Sequence, residues 1–86
     1  MEFDNLVLDT FLEKQLQLFP EIVAETREDA EEFLEEMFAV VCKNKKEVKK
    51  YFEEVGSDIA GLSINDILEA SEVFALPDGR YLIVEG

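Results

Sequence analysis

The sequence predicts an α+β domain in which three to four helices pack on a small antiparallel sheet that ends in a C-terminal β-hairpin. Three observations carry that prediction. Apolar residues recur at helical spacing from Asn5 onward, capping pairs stand ahead of the later periodic stretches, and Pro77-Asp78-Gly79 separates two short apolar runs near the end. The 86 residues make one domain, 1–86, with no internal boundary or repeat. A chain of this length buries only about two thirds of its unfolded surface, so the core must be compact. With 48% hydrophobic residues, among them seven phenylalanines and two tyrosines, there is enough apolar material to offset chain entropy.

Leu8, Phe11, Leu12, Leu16 and Phe19 fall on one helical stripe, with Asp9, Glu13 and Gln17 on another face, which predicts a first helix from Asn5 to about Phe19. Pro20 ends it, because its ring disfavours helical geometry at the preceding residue and removes a donor. Glu21 to Glu25 is then a connector. Thr26, with Asp29 three residues later, places an N-cap and an acidic partner ahead of Ala30, Phe33, Leu34 and Met37, where a second helix begins. The outer face of that helix carries Glu28, Glu31, Glu32, Glu35 and Glu36.

Phe38 to Cys42 is apolar and β-branched and reads as a strand. The rival is one long helix from Arg27 to Val55, since Leu34, Val41, Val48 and Val55 keep a heptad spacing. The paired valines and the capping pattern Asn44 with Glu47 favour a strand followed by a third helix, whose stripe is Val48, Tyr51, Phe52 and Val55. Gly56 suits the left-handed position after that helix, and Ser57 to Leu62 reads as a loop. Ser63 with Asp66 caps a short fourth helix, Ile64 to Ala70. The strands Val73 to Leu76 and Tyr81 to Val84 then form the hairpin. With Phe38 to Cys42 added, the sheet has three strands, and the expected arrangement places the helices on one of its faces.

Composition excludes several classes of function. A net charge of -13 repels nucleic-acid phosphates and anionic membranes, and no basic groove interrupts it. The longest apolar run, Met37 to Cys42, is far short of a membrane span, and the acidic start from Met1 to Asp9 lacks the basic and apolar regions of a leader, so a cytoplasmic location is expected. The chain has no histidine, which removes the commonest general base and transition-metal ligand. Neither a phosphate-binding glycine loop nor a calcium loop nor a nucleophile elbow is present. No catalytic residue, cofactor or metal ligand is assigned. The single cysteine, Cys42, lies in the apolar strand and reads as a core thiol.

One stretch departs from local rules. Lys43, Asn44, Lys45, Lys46, Glu47, Val48, Lys49 and Lys50 hold five of the eight basic residues, and the third helix carries lysines at its start and Glu53 and Glu54 at its end, against its dipole. Lys43, Asn44, Lys45 and Lys46 are therefore candidate anion-binding residues, through side-chain charge and backbone N–H groups at a helix start. Surface pairing of Lys49 with Glu53 and Lys50 with Glu54 is the plainer account.

The segment Glu69-Ala70-Ser71-Glu72-Val73-Phe74-Ala75-Leu76-Pro77-Asp78-Gly79-Arg80-Tyr81-Leu82-Ile83-Val84-Glu85-Gly86, with Leu12-Glu13-Lys14-Gln15-Leu16, resembles short acidic bacterial proteins of unknown function. The resemblance implies a bacterial, cytoplasmic setting and supplies no catalytic motif. The glyoxalase label that some such sequences carry is contradicted by the lack of histidine and by the short chain. The expected function is a non-enzymatic protein-interaction or regulatory domain whose glutamate face, Glu28, Glu31, Glu32, Glu35 and Glu36, meets a basic partner protein. The alternative is a small-anion or metabolite-binding domain at the start of the third helix. Both a monomer and a homodimer, with the lysine segment of one copy against the glutamate face of another, are compatible with the sequence.

Overall fold

The computed structural model of the protein describes residues 3–85. Among them are four α-helices, α1 (Asn5–Lys14), α2 (Arg27–Glu36), α3 (Lys45–Glu54) and α4 (Ile64–Leu68), and three strands, β1 (Val40–Cys42), β2 (Val73–Ala75) and β3 (Tyr81–Ile83). The strands form one antiparallel sheet in the order β1-β3-β2, with Val41 opposite Leu82 and Leu82 opposite Phe74.

Each helix starts where its local chemistry dictates. The side chains of Asp4, Thr26, Asn44 and Ser63 accept from the N–H groups of Val7, Asp29, Glu47 and Asp66, satisfying donors that have no partner within the helix. In α2 and α3 the acidic residue at the third position reaches further back: Asp29 accepts from Glu25 N–H at 3.4 Å and Glu47 from Lys43 N–H at 2.9 Å. The Asn44 cap thus separates strand from helix, and the continuous helix from Arg27 to Val55 does not form.

Both α2 and α3 end in a left-handed residue. After α3 it is Gly56, at φ 71°, with Ser57 N–H donating to Phe52 C=O and Gly56 N–H to Glu53 C=O. After α2 the same pair of bonds runs from Ala39 to Leu34 and from Phe38 to Glu35, but the left-handed residue is Phe38, at φ 55°. Phe38 is 86% exposed and lies outside the strand expected from Phe38 to Cys42. Its positive φ reverses the chain out of α2, and β1 begins only at Val40.

The expectation of helices on one face of the sheet is corrected. The central residue of each strand, Val41, Phe74 and Leu82, joins a core with Val7, Leu8 and Phe11 of α1 and Ala30 and Leu34 of α2. The flanking residues Val40, Cys42, Val73, Tyr81 and Ile83 join a second core with Val48 and Phe52 of α3 and Ile67 of α4. Successive strand residues point to opposite faces, and both sets are apolar here, so each face needs a helical layer. The first core is built around Phe11, whose ring stacks on Phe33 at 5.8 Å and meets Phe74 at 5.5 Å and Phe19 at 6.3 Å. A fully buried phenylalanine contributes about 2–3 kcal/mol through burial alone.

The first helix stops at Lys14 instead of continuing to Phe19, and a 3₁₀ turn follows over Gln15–Gln17. The tighter winding turns Gln15 inward and leaves Leu16 59% exposed, contrary to the helical stripe expected from sequence. Gln15 is buried and fully bonded. Its Oε1 accepts from Val23 and Ala24 N–H at 2.8 and 3.0 Å, and its Nε2 donates to Leu12 and Ala24 C=O at 3.0 and 2.9 Å. This one carboxamide pins the connector after Pro20 to the end of α1, and removing it strands buried backbone groups at about 1–3 kcal/mol. The segment Ser57 to Leu62, read as a loop, contains a 3₁₀ turn at Asp58–Gly61 whose start is capped by Ser57. The fourth helix ends at Leu68, ahead of the expected Ala70.

The two edges of the sheet differ. Along β2, Gln17 Nε2 donates to the carbonyls of Ser71 and Val73 at 3.0 and 2.9 Å, and Lys14 Nζ to that of Ala75 at 3.3 Å. Side chains therefore take up the outward carbonyls of that strand. Along β1, the backbone of Val40–Cys42 bonds to β3 and to nothing else among the described residues.

The two left-handed positions predict opposite responses. A Cβ at Gly56 meets nothing within 4 Å, so Gly56→Ala tests conformation alone and lowers stability by about 1 kcal/mol. Phe38→Gly removes the same strain at a site that buries almost nothing, and raises stability by about 0.5–1 kcal/mol. Urea unfolding at unchanged m-value checks both signs.

Candidate functional site

The glutamate face predicted from sequence is carried on α2 by the amphipathic pattern that buries Ala30 and Leu34. Glu28, Glu32, Glu35 and Glu36 are exposed. Glu31 differs. It is half-buried at the margin of the core, and its Oε2 is sealed from solvent with no hydrogen-bond partner among the described residues. Phe33 stacks against Phe11, so Glu31 and Glu35, on the opposite side of the Ala30–Leu34 stripe, lie on the flank turned away from that contact.

Cations of the described residues do not neutralise this face. Arg27, at the start of α2, is held by Asp9 of α1 through two bonds of 2.8 Å, and it draws the Asp9 carboxyl below its ordinary range. Arg80 bridges Asp78 at 2.6 Å and Asp4 at 2.9 Å, fastening the hairpin turn to the start of α1. Lys50 pairs with Glu54 at 4.0 Å along α3. The five glutamates of α2 take part in none of these pairs, and their mutual repulsion favours any arriving cationic surface.

The lysine segment begins α3. Pairing of Cys42 with Tyr81 sets the residues after β1 beside those before β3, so Asn44, Lys45 and Lys46 line an open depression of about 600 Å³ together with Gly79 and Tyr81. Lys43 is not part of its wall. No local signal pointed to Gly79 and Tyr81, because their proximity depends on strand pairing. The helix start is already occupied by the chain's own groups: Asn44 Oδ1 accepts from Glu47 N–H at 3.0 Å, and the Glu47 carboxylate accepts from Lys43 N–H. A carboxylate of the protein thus sits where an anion would be drawn by the helix dipole.

Cys42 is buried against Val48, Phe52, Val73 and Ile83. Burial first, and the nearby charge of Glu47 second, push its thiol from an ordinary pKa of 9.0 up to about 11. The thiolate needed for nucleophilic chemistry is correspondingly disfavoured. Beside Cys42, on the α3 side of β1, Val40, Val41, Glu47, Lys50, Tyr51 and Glu54 line a shallow groove of about 270 Å³. On the other side, Phe3, Ala39, Val40 and Val41 line a second of about 360 Å³. Among the described residues no group of three or more Asp, Glu or Cys side chains is placed to hold a metal ion, and no helix is long and apolar enough to cross a membrane.

The raised Cys42 pKa carries a pH dependence with a defined sign. The unfolded chain loses this proton near pH 9.0 and the folded chain holds it to about pH 11, so above pH 9.0 the unfolded state binds fewer protons. The contribution is complete below that pH and is lost as pH rises toward 11. Tyr51, also pushed above its ordinary 10.0 by burial and then by Glu85, adds to the fall at the upper end. Thermal unfolding across this range is expected to show the midpoint dropping, and Cys42→Ala is expected to remove the earlier part of the drop while leaving the part that belongs to Tyr51.

Searches against protein-family models, curated proteins and solved structures found no match to this chain.

Proposed function

We propose that the protein is a non-enzymatic interaction or regulatory module of a bacterial cytoplasm, whose α2 glutamate face meets a basic patch on a partner protein. The observation that supports it most is the run of exposed carboxylates at Glu28, Glu32, Glu35 and Glu36, left unpaired by the cations of the described residues on a helix anchored by Ala30 and Leu34. The net charge of -13 extends that field over the molecule, so charge governs the rate of encounter and its salt dependence more than the final affinity. Affinity capture from native cell extract at low and moderate salt tests the reading. A specific basic protein is expected at low salt, and both added salt and Glu28→Lys/Glu32→Lys are expected to release it. Capture indifferent to both changes would rule the reading out.

A second reading is favoured by the depression at Asn44, Lys45, Lys46, Gly79 and Tyr81, which is wide enough for a small phosphate-bearing metabolite. Against it stands the Glu47 carboxylate, which already faces the helix start. The two accounts separate in a chemical-shift titration with inorganic phosphate. If the depression is a binding site, the amides of Asn44 to Glu47 shift and saturate below about 1 mM; if Glu47 fills the anion's role, they do not move.

A further inference from the structure

Phe38 breaks two local rules at once. It is 86% exposed, more than any other large apolar side chain among the described residues, and it belongs to neither core. It also holds a left-handed conformation, φ 55°, at the position after α2. The other two left-handed positions among the described residues are glycines, Gly56 and Gly79, where no side chain is strained. Leu16, Ile22, Val55 and Leu62 are exposed as well, between 45% and 60%, but none has a positive φ. Single exposed apolar residues are ordinary. An exposed ring that also strains its own backbone gives the fold nothing that glycine would not supply better. A residue kept against its local energetics points to function.

The surroundings of Phe38 select a cation. Its N–H donates to Glu35 C=O at 3.2 Å, which attaches it directly to the last turn of α2. That turn is the negative end of the helix dipole, carries the exposed Glu35 and Glu36, and has no basic residue. Neither carboxylate takes part in an ion pair among the described residues. The face of an aromatic ring is itself electron-rich and attracts ammonium and guanidinium groups. Dipole, carboxylates and ring therefore favour the same ligand charge, and the ring adds an apolar contact for the stem of a long cationic side chain.

We propose that Phe38 anchors the partner surface at the carboxyl end of α2, where its ring receives an arginine or lysine side chain of a basic partner protein, with Glu35 and Glu36 beside the charged head. The inference rests on the partner reading and narrows it from a diffuse acidic face to one residue. Charge at Glu28, Glu32, Glu35 and Glu36 draws the partner in, and ring contact at Phe38 holds it. A left-handed residue that glycine would make more stable is retained for binding, at a cost in folding.

A displayed library of random peptides supplies defined ligands for the test. Selection on the wild-type chain is expected to enrich peptides in which arginine or lysine stands beside apolar residues. Titration of a synthetic copy of one is expected to shift the amides of Glu35 to Ala39. Phe38→Gly and Phe38→Asn both suit the left-handed backbone, so they remove the ring without endangering the fold. Each is expected to weaken the peptide by about tenfold or more while stability holds or rises. Phe38→Trp keeps the ring face and with it the binding. Glu35→Gln/Glu36→Gln is expected to weaken the peptide chiefly at low salt. A peptide that responds to salt and to Glu28→Lys/Glu32→Lys but not to loss of the ring overturns the inference and leaves the partner reading standing. Selection of no peptide, or only of peptides without basic residues, overturns it too, and the salt dependence of capture from extract then decides the partner reading separately. A fall in stability in Phe38→Gly would reveal a packing role and overturn it. Amide shifts at Phe38 that follow protein concentration without peptide would place a second copy on the ring, with the same consequence.

Discussion

The structure depends on β3, which pairs with both β1 and β2 and supplies side chains to both cores. Strands of three residues make too few bonds to persist alone, and two such strands would not form a stable sheet. Leu82 on one side and Ile83 on the other, both fully buried, hold β3 between two helical layers. Every other element is placed by that demand: α1 and α2 cover the Leu82 face, and α3 and α4 cover the Ile83 face. The links between the layers are short, so the helix ends must fall at defined residues, and the capping side chains of Thr26, Asn44 and Ser63 supply that definition.

What was legible in the sequence is what local chemistry decides. Asn44 announces a helix start because its short side chain accepts from Glu47 N–H, and that one residue settles the contest between a strand at Val40–Cys42 and a helix through it. Pro77-Asp78-Gly79 announces the hairpin because Gly79 can adopt φ 94°. Phe38 falls outside the strand expected from Phe38 to Cys42, because nothing in a phenylalanine signals a left-handed turn; the reversal after α2 is held by the bonds from Ala39 to Leu34 and from Phe38 to Glu35. Gln15 was invisible for the opposite reason, since a glutamine among charged neighbours resembles surface until a 3₁₀ turn carries it inside. The second helical layer was present in the sequence as the adjacent pairs Val73-Phe74 and Leu82-Ile83, apolar on both faces, where a sheet covered on one side would alternate with polar residues.

The candidate surfaces follow the same division. The α2 glutamates could be assigned to one outer face from helical spacing, yet Glu31 is drawn half inside by its place beside the core stripe. The lysines were visible as a cluster, but their neighbours Gly79 and Tyr81 were not, because only the pairing of Cys42 with Tyr81 brings the hairpin turn to them. Sequence spacing assigns residues to a face within one element. Which faces then meet is a property of the sheet order.

The order β1-β3-β2 also bears on how the chain reaches this state. The β2–β3 hairpin closes over a short turn, but Val41 meets Leu82 only after a loop that includes all of α3 and α4 has been closed. Closing a loop of that size carries an entropic cost that the hairpin avoids. The Ile83 face gives part of its reward in advance, since α3, α4 and the hairpin are consecutive and can gather locally. Joining β1, and with it the α1–α2 layer, is then the non-local step, the one that carries the loop-closure cost.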